Sequence, residues 1–319
     1  MTVKTERIHC ITIPTPFLVG PVNCYLIEGE VLTLVDTGPK TEEGWNELKQ
    51  QLNAIGYSTD EVKQILLTHH HPDHVGLTTR FKQARVVAHR FSEMWLSQNE
   101  IFFREYAAFF RHFYRQHGLD QDQLNVIERA SMGYLKYVEP TTIDVCVKEG
   151  DSVPGLEDWK VVEVPGHAQS HLLFYRESDH VAIGGDVLLS SISSNALLEA
   201  PMEGDTRPKT LLQYRDSLNK LVDLSIKELH TGHGLKITNV EEVVKQRLLG
   251  QEERANAIYA LLKEGQKTAN QLSVEMFGRR HVKQPELTFS EVFGHLDLLM
   301  DQGKIDTVDV EGLIYFKIN

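Results

Sequence analysis

The chain has 319 residues, a formal charge of −12 at neutral pH, 41% apolar residues and 24% charged residues. These proportions exclude wholesale disorder, and no run approaches the roughly 20 apolar residues needed to cross a bilayer. The acidic balance counts against non-specific nucleic-acid binding without excluding a local basic pocket. The first ten residues lack the apolar stretch of a signal peptide, and Cys10, Cys24 and Cys146 are too scattered for a disulfide framework, so the expected location is cytoplasmic.

In chain order, residues 23–27 and 31–35 are apolar runs around Glu28-Gly29-Glu30, which predicts a strand hairpin. Residues 41–55 carry Trp45, Leu48, Leu52 and Ile55 at helical spacing, with Thr41 as N-cap. Residues 62–68 and 85–89 read as buried strands, and this alternation predicts a layered α/β domain. Residues 91–139 read as helical and hold 11 of the 26 aromatic residues, a bias that marks them as an insertion. Strands resume at 143–147, 159–164, 171–175 and 181–183, followed by helices at 208–225 and 239–264. From 251 the pattern is helix (252–263), short helix (268–276), helix (290–300) and a strand pair (305–310 and 313–317), the order of a winged helix. The expected division is 1–250 with the insertion at 91–139, then 251–319.

The chemistry concentrates in His69-His70-His71-Pro72-Asp73-His74, which leaves a buried strand directly. In an extended segment residues i and i+2 share a side, so His69 and His71 can face one ion. Pro72 suits the first turn of a following helix, and that turn points Asp73 and His74 elsewhere, where a second ion could sit. Imidazole and carboxylate suit zinc, iron or manganese. A solvated polar loop is the bland alternative, against which the strand-end placement weighs. Later come His167 after Val164-Pro165-Gly166, Asp186 after Gly184-Gly185, and His233 in Thr231-Gly232-His233-Gly234. Each sits at a strand end beside glycine, where backbone can approach a ligand closely. Singly, each would read as a turn residue.

Together these residues resemble the metallo-β-lactamase superfamily over about residues 8–240, with Asp36-Thr37-Gly38 matching its early strand-end motif. The resemblance implies an α/β fold, an αββα four-layer sandwich, to which the element order adds the helical insertion and the C-terminal winged helix. It implies that His69, His71 and His167 bind one metal, that Asp73, His74 and His233 bind a second, and that Asp186 bridges the two. His70 is then not a ligand, and Asp36 supports a ligand histidine. His171 either supports the site or simply starts a strand. The implied cofactor is a pair of divalent ions, zinc first and iron or manganese as alternatives. A metal-bridging hydroxide would attack the substrate, with Asp73 as the catalytic carboxylate that orients it or takes its proton. Aspartate at 186 resembles the glyoxalase-II, lactonase and nuclease branches rather than the true β-lactamases.

The expected reaction is hydrolysis of a small ester or thioester, on a small-molecule substrate, by a chain that forms a homodimer or none. The winged-helix layout also resembles the lactamase-beta-like protein 2 branch, which includes endoribonucleases, so a phosphodiester in RNA and a lactone are the alternatives. Residues 251–319 carry 8 Lys/Arg against 11 Asp/Glu, which disfavours nucleic acid and suits a module that packs on the catalytic domain. A DNA-binding regulator and an iron dioxygenase are the remaining readings. Within the insertion, the aromatics either pack it on the core or, with Phe109 and Phe110, form a lid over the substrate, and Arg104, Arg111, His112 and Arg115 recur near one helical face where they could hold an anionic tail.

Overall fold

Side-chain alternation along the strands builds the layers, in a computed structural model that describes residues 6–319. Strands β1 (Arg7–Ile13), β2 (Val22–Glu28), β3 (Leu32–Val35), β4 (Gln64–Leu66), β5 (Arg85–Ala88) and β6 (Val145–Cys146) form one sheet in that order, antiparallel through β3 and parallel beyond it. Strands β7 (Ser152–Val153), β8 (Leu156–Glu163), β9 (Leu172–Arg176), β10 (Val181–Ile183) and β11 (Glu228–His230) form the second, in the order β11-β10-β9-β8-β7. Tyr25, Ile27, Val35 and Leu66 of the first sheet meet Trp159, Val161, Leu172 and Phe174 of the second in the core between them.

The outer faces take the helices. Leu26, Leu34 and Ile65 face α1 (Glu42–Ile55), which buries Leu48 and Leu52. Thr41 caps α1 by accepting from the Gly44 N–H at 2.9 Å, a contact that stabilises a helix by about 1 kcal/mol. After α2 (Pro72–Val75) the insertion forms α3 (Glu93–Leu96), α4 (Glu100–Gln116) and α5 (Gln121–Leu135). Val162, Leu173 and Tyr175, on the outer face of the second sheet, share one core with α6 (Thr210–Asp223) and α7 (Val240–Leu262). The result is helix, sheet, sheet, helix, and burial on both faces explains why β2 reads VNCYLI without polar alternation.

The chain closes with α8 (Ala269–Phe277), α9 (Arg279–Lys283), α10 (Pro285–Asp301) and the hairpin β12 (Ile305–Val310) and β13 (Leu313–Ile318). Position 250 falls inside α7, so the two parts of the chain share a helix. Phe289, Val292, Phe293, Leu296 and Leu299 of α10 belong to the same core as Leu211 and Tyr214 of α6. Gly294 makes that contact close, since a Cβ there would lie 3.0 Å from the Leu211 Cβ. Among the described residues no helix is long and apolar enough to cross a membrane.

The insertion differs from expectation in two ways. Phe110 is 8% exposed and packs in the main core with Tyr114, so it is a structural residue and not a lid. Arg104, Arg111, His112 and Arg115 lie on the exposed face of α4. There Arg111 pairs with Glu128 at 2.7 Å and Arg115 donates to Gln121, so the four do not form the expected anion clamp.

Candidate metal centre

All seven predicted ligands converge on one edge of the two sheets. His69 and His71 follow β4, Asp73 and His74 lie on α2, His167 follows β8, Asp186 follows β10 and His233 follows β11. His71 Nδ1 lies 3.0 Å from His69 Nε2 and 3.0 Å from His167 Nε2. Burial, reinforced by the neighbouring imidazoles, holds His69 and His71 well below the ordinary imidazole value. Burial also lowers His167, against a partial pull from Asp186. Three neutral imidazoles therefore meet nitrogen to nitrogen. Ligands about 2.0–2.1 Å from a tetrahedral zinc sit roughly 3.3 Å apart, close to this spacing.

The second group is Asp73, His74 and His233, whose donor atoms all lie within 4.8 Å of one another. His233 Nε2 is 3.3 Å from Asp73 Oδ2. Asp186 faces both groups. Its Oδ1 is 3.5 Å from His74 Nε2, and its Oδ2 is 3.6 Å from both His167 Nε2 and His233 Nε2. Burial works against charge on Asp186, but His74, His233 and His167 outweigh it and hold the carboxyl below its usual range.

The outer nitrogens are fixed by acceptors, which dictates the tautomers. His74 Nδ1 donates to Asp36 Oδ2 at 2.7 Å, His167 Nδ1 to Asn195 O at 2.9 Å, and His233 Nδ1 to Pro21 O at 2.7 Å. Thr68 Oγ1 gives its proton to Asp36 Oδ2 and so accepts from His69 Nδ1 at 3.0 Å. His69 and His167 then turn a bare Nε2 lone pair inward, whereas His74 and His233, which burial lowers but Asp186 and Asp73 raise on balance, turn inward the nitrogen whose proton a cation would replace. His74 Nε2, His233 Nε2 and Asp186 Oδ1 are buried without any hydrogen-bond partner. Leaving such groups unpaired costs about 1–3 kcal/mol each, a cost that cation binding removes. Divalent ions therefore fit this donor set. The closeness also requires glycine at 232, where a Cβ would fall 2.1 Å from Asp186 Oδ1 and 2.8 Å from the His74 ring.

The profile of the metallo-beta-lactamase superfamily matches residues 18–233, which span β2 to the last of these histidines. The chain belongs to the metallo-beta-lactamase superfamily. The probable metallo-hydrolase YqjP of Bacillus subtilis (strain 168) is 37% identical to it over 314 residues, 98% of each chain. A crystal structure of a metallo-beta-lactamase family protein from Thermus thermophilus superposes with a TM-score of 0.82 at 29% identity, covering 98% of both chains. A hydroxyacylglutathione hydrolase of Chelativorans sp. (strain BNC1) is 32% identical over 130 residues, 40% of this chain and 47% of that one.

Around this superfamily centre lie residues that the motif does not contain. His70 turns away from the candidate ligands, stacks on Trp95 with ring centroids 4.3 Å apart, and bonds through Nδ1 to Ser170 Oγ at 2.8 Å. His171 stacks on His69 and accepts from the Asp186 N–H at 3.2 Å through Nε2, which ties it to the site. Glu199 was not singled out from the sequence. Its carboxyl is 4% exposed, accepts from the Gln169 N–H and lies 3.7 Å from His70 Nε2, and burial pushes its pKa up to about 8. The available signal was a lone acidic residue in the apolar run Ala196-Leu197-Leu198-Glu199-Ala200.

Proposed function

We propose that this chain is a dinuclear metal-dependent hydrolase that cleaves a small ester or thioester. Asp186 carries the reading, because its two oxygens face both nitrogen groups at 3.5–3.6 Å. His69, His71 and His167 would hold one cation and Asp73, His74 and His233 the other, with Asp186 placed to serve both. Zinc is the proposed ion, with iron and manganese admitted by the same nitrogen and oxygen donors. Bound there, such ions lower the pKa of water and polarise a carbonyl. Asp73 orients the attacking water and accepts its proton.

Two observations support an acyl substrate. The Chelativorans relative is named for a glutathione thioester. Trp95, Phe102, Phe103 and Tyr106 also form an aromatic cluster against His70, with centroid distances of 5.0–5.4 Å from Trp95 to its three neighbours. Such a surface suits the apolar part of a small molecule. The C-terminal elements follow winged-helix order, yet α10 is buried almost all round, including Ser290, His295 and Asp297. A helix without a free face does not enter a DNA groove, so we read this unit as a packing element.

The test is thiol release from a panel of acyl thioesters by the metal-loaded protein, with Asp73→Ala as control. Release that disappears in the variant supports the reading. No release from any thioester sinks it and moves attention to lactones and then short RNA.

A further inference from the structure

The C-terminal unit touches the rest of the chain at two places that lead directly to the metal centre. The first is the segment 195–200, between β10 and α6. Its Asn195 O accepts from His167 Nδ1 at 2.9 Å, its Glu199 carboxyl accepts from the Gln169 N–H, and its Ala200 O accepts from Gln169 Nε2 at 2.9 Å. On the opposite side, Leu198 N donates to Ser290 Oγ of α10 at 3.3 Å, and that hydroxyl is on a residue only 2% exposed. The segment is thus held between a ligand histidine and the C-terminal helix.

The second is the turn between α4 and α5. Asn270 of α8 donates from Nδ2 to Gly118 O at 2.8 Å and from its backbone N–H to His117 O at 3.1 Å, and accepts from Gln123 Nε2 at 3.1 Å. Gln123 also bonds to His281 Nε2 at 3.0 Å, and His281 Nδ1 to Thr288 Oγ1 at 2.7 Å. The insertion held at this turn carries Trp95 at its other end, stacked on His70 between two proposed ligands.

We propose that the C-terminal unit is a positioning element of the metal centre, acting through Ser290 on the 195–200 segment and through Asn270 on the aromatic insertion. Ser290 fixes the carbonyl that orients His167, and Asn270 fixes the insertion that backs His70. Both are positioning residues, since neither reaches the ligand cluster. The inference rests on the proposed metal site for its consequence and on hydrogen bonds alone for its cause.

The test uses the full chain with Ser290→Ala and Asn270→Ala, both compatible with a helix. Hydrogen exchange reads the cause, with about tenfold faster exchange expected in 195–200 for Ser290→Ala and in 117–135 for Asn270→Ala. Cobalt(II) loading reads the consequence. Ser290→Ala is expected to alter the visible absorption of bound cobalt and to lose the ion faster to a chelator. Unchanged exchange in both segments, or exchange raised evenly along the chain, overturns the proposal, as does local loosening with an unchanged cobalt spectrum. If the wild-type chain takes up no cobalt, the metal-site reading fails, and the exchange maps alone decide whether the unit positions these segments.

Discussion

Asp36 holds His74 through a 2.7 Å bond from the ring Nδ1 to the carboxylate Oδ2, while the opposite nitrogen of the same ring points into the metal centre without a partner. Asp36 also accepts from Thr68 N at 2.8 Å and Thr68 Oγ1 at 2.7 Å, so one carboxylate ties β3 to the histidine loop and to α2. Asp36 adopts φ of 57°, a left-handed conformation uncommon outside glycine. Asp36→Asn is expected to weaken metal binding by about 10–100-fold, the usual loss when a ligand histidine loses its carboxylate partner. Competition against a chromogenic chelator measures it, and unchanged affinity would count against this role.

Asp186 is the one carboxylate that faces both groups of donors. Replacing it with alanine should lower the bound metal from about two ions per chain to one or fewer. Elemental analysis after dialysis reads the ratio. Two tightly held ions in the variant would remove Asp186 from the bridging position.

Buried Asp297 and half-buried Arg207 form a pair in which one guanidinium nitrogen reaches both carboxylate oxygens at 2.7 Å. Burial pushes the Asp297 carboxyl up, and Arg207 pulls it back down. Breaking a fully buried pair from one side typically costs about 3–5 kcal/mol, and the partial exposure of Arg207 places this pair at about 2–3 kcal/mol. Asp297→Ala should therefore lower stability in urea by that order, and a loss under about 1 kcal/mol would show the pair to be incidental.

His117 is 4% exposed, wedged against Phe113, Phe293 and Phe316, and burial together with nearby Arg207 lowers its pKa to about 4. The unfolded chain binds that proton near pH 6.5, so it holds more protons than the native state between the two values. The stability contribution is complete above about pH 6.5 and is lost as pH falls toward 4, on the order of 3 kcal/mol in total. Wild-type protein should lose stability over this window more steeply than His117→Leu. Parallel slopes in pH-dependent denaturation would refute the assignment.

Much of this was readable beforehand, for identifiable reasons. Helix α1 announced itself through its cap and its Leu48–Leu52 stripe, and the cluster of five histidines and two aspartates through side-chain types that rarely gather by chance. Strands β1 and β7 and helix α9 were not foreseen: RIHCITI mixes charge into its alternation, and the others run only two to five residues. Helix α10 was expected to start at 290 but begins at Pro285, because proline suits a first helical turn and a helical period cannot place the start more closely. Phe110 could not be told from a lid residue, since an aromatic ring reads the same whether it packs inward or faces a substrate. Glu199 and Asn195 act across 28–30 residues of chain on the His167 loop, and local sequence carries no trace of such pairings.

The continuity of α7 through position 250 bears on how this molecule comes apart. With Ala255, Ile258 and Leu262 packed in the same core as Leu218 and Leu221, the chain has no seam along which half of it can melt first. Heating should give a single sigmoidal transition reported alike by every probe. A fragment ending at His233 would leave Leu211, Tyr214 and Leu218 bare to water, a sticky surface that invites precipitation rather than a smaller working enzyme.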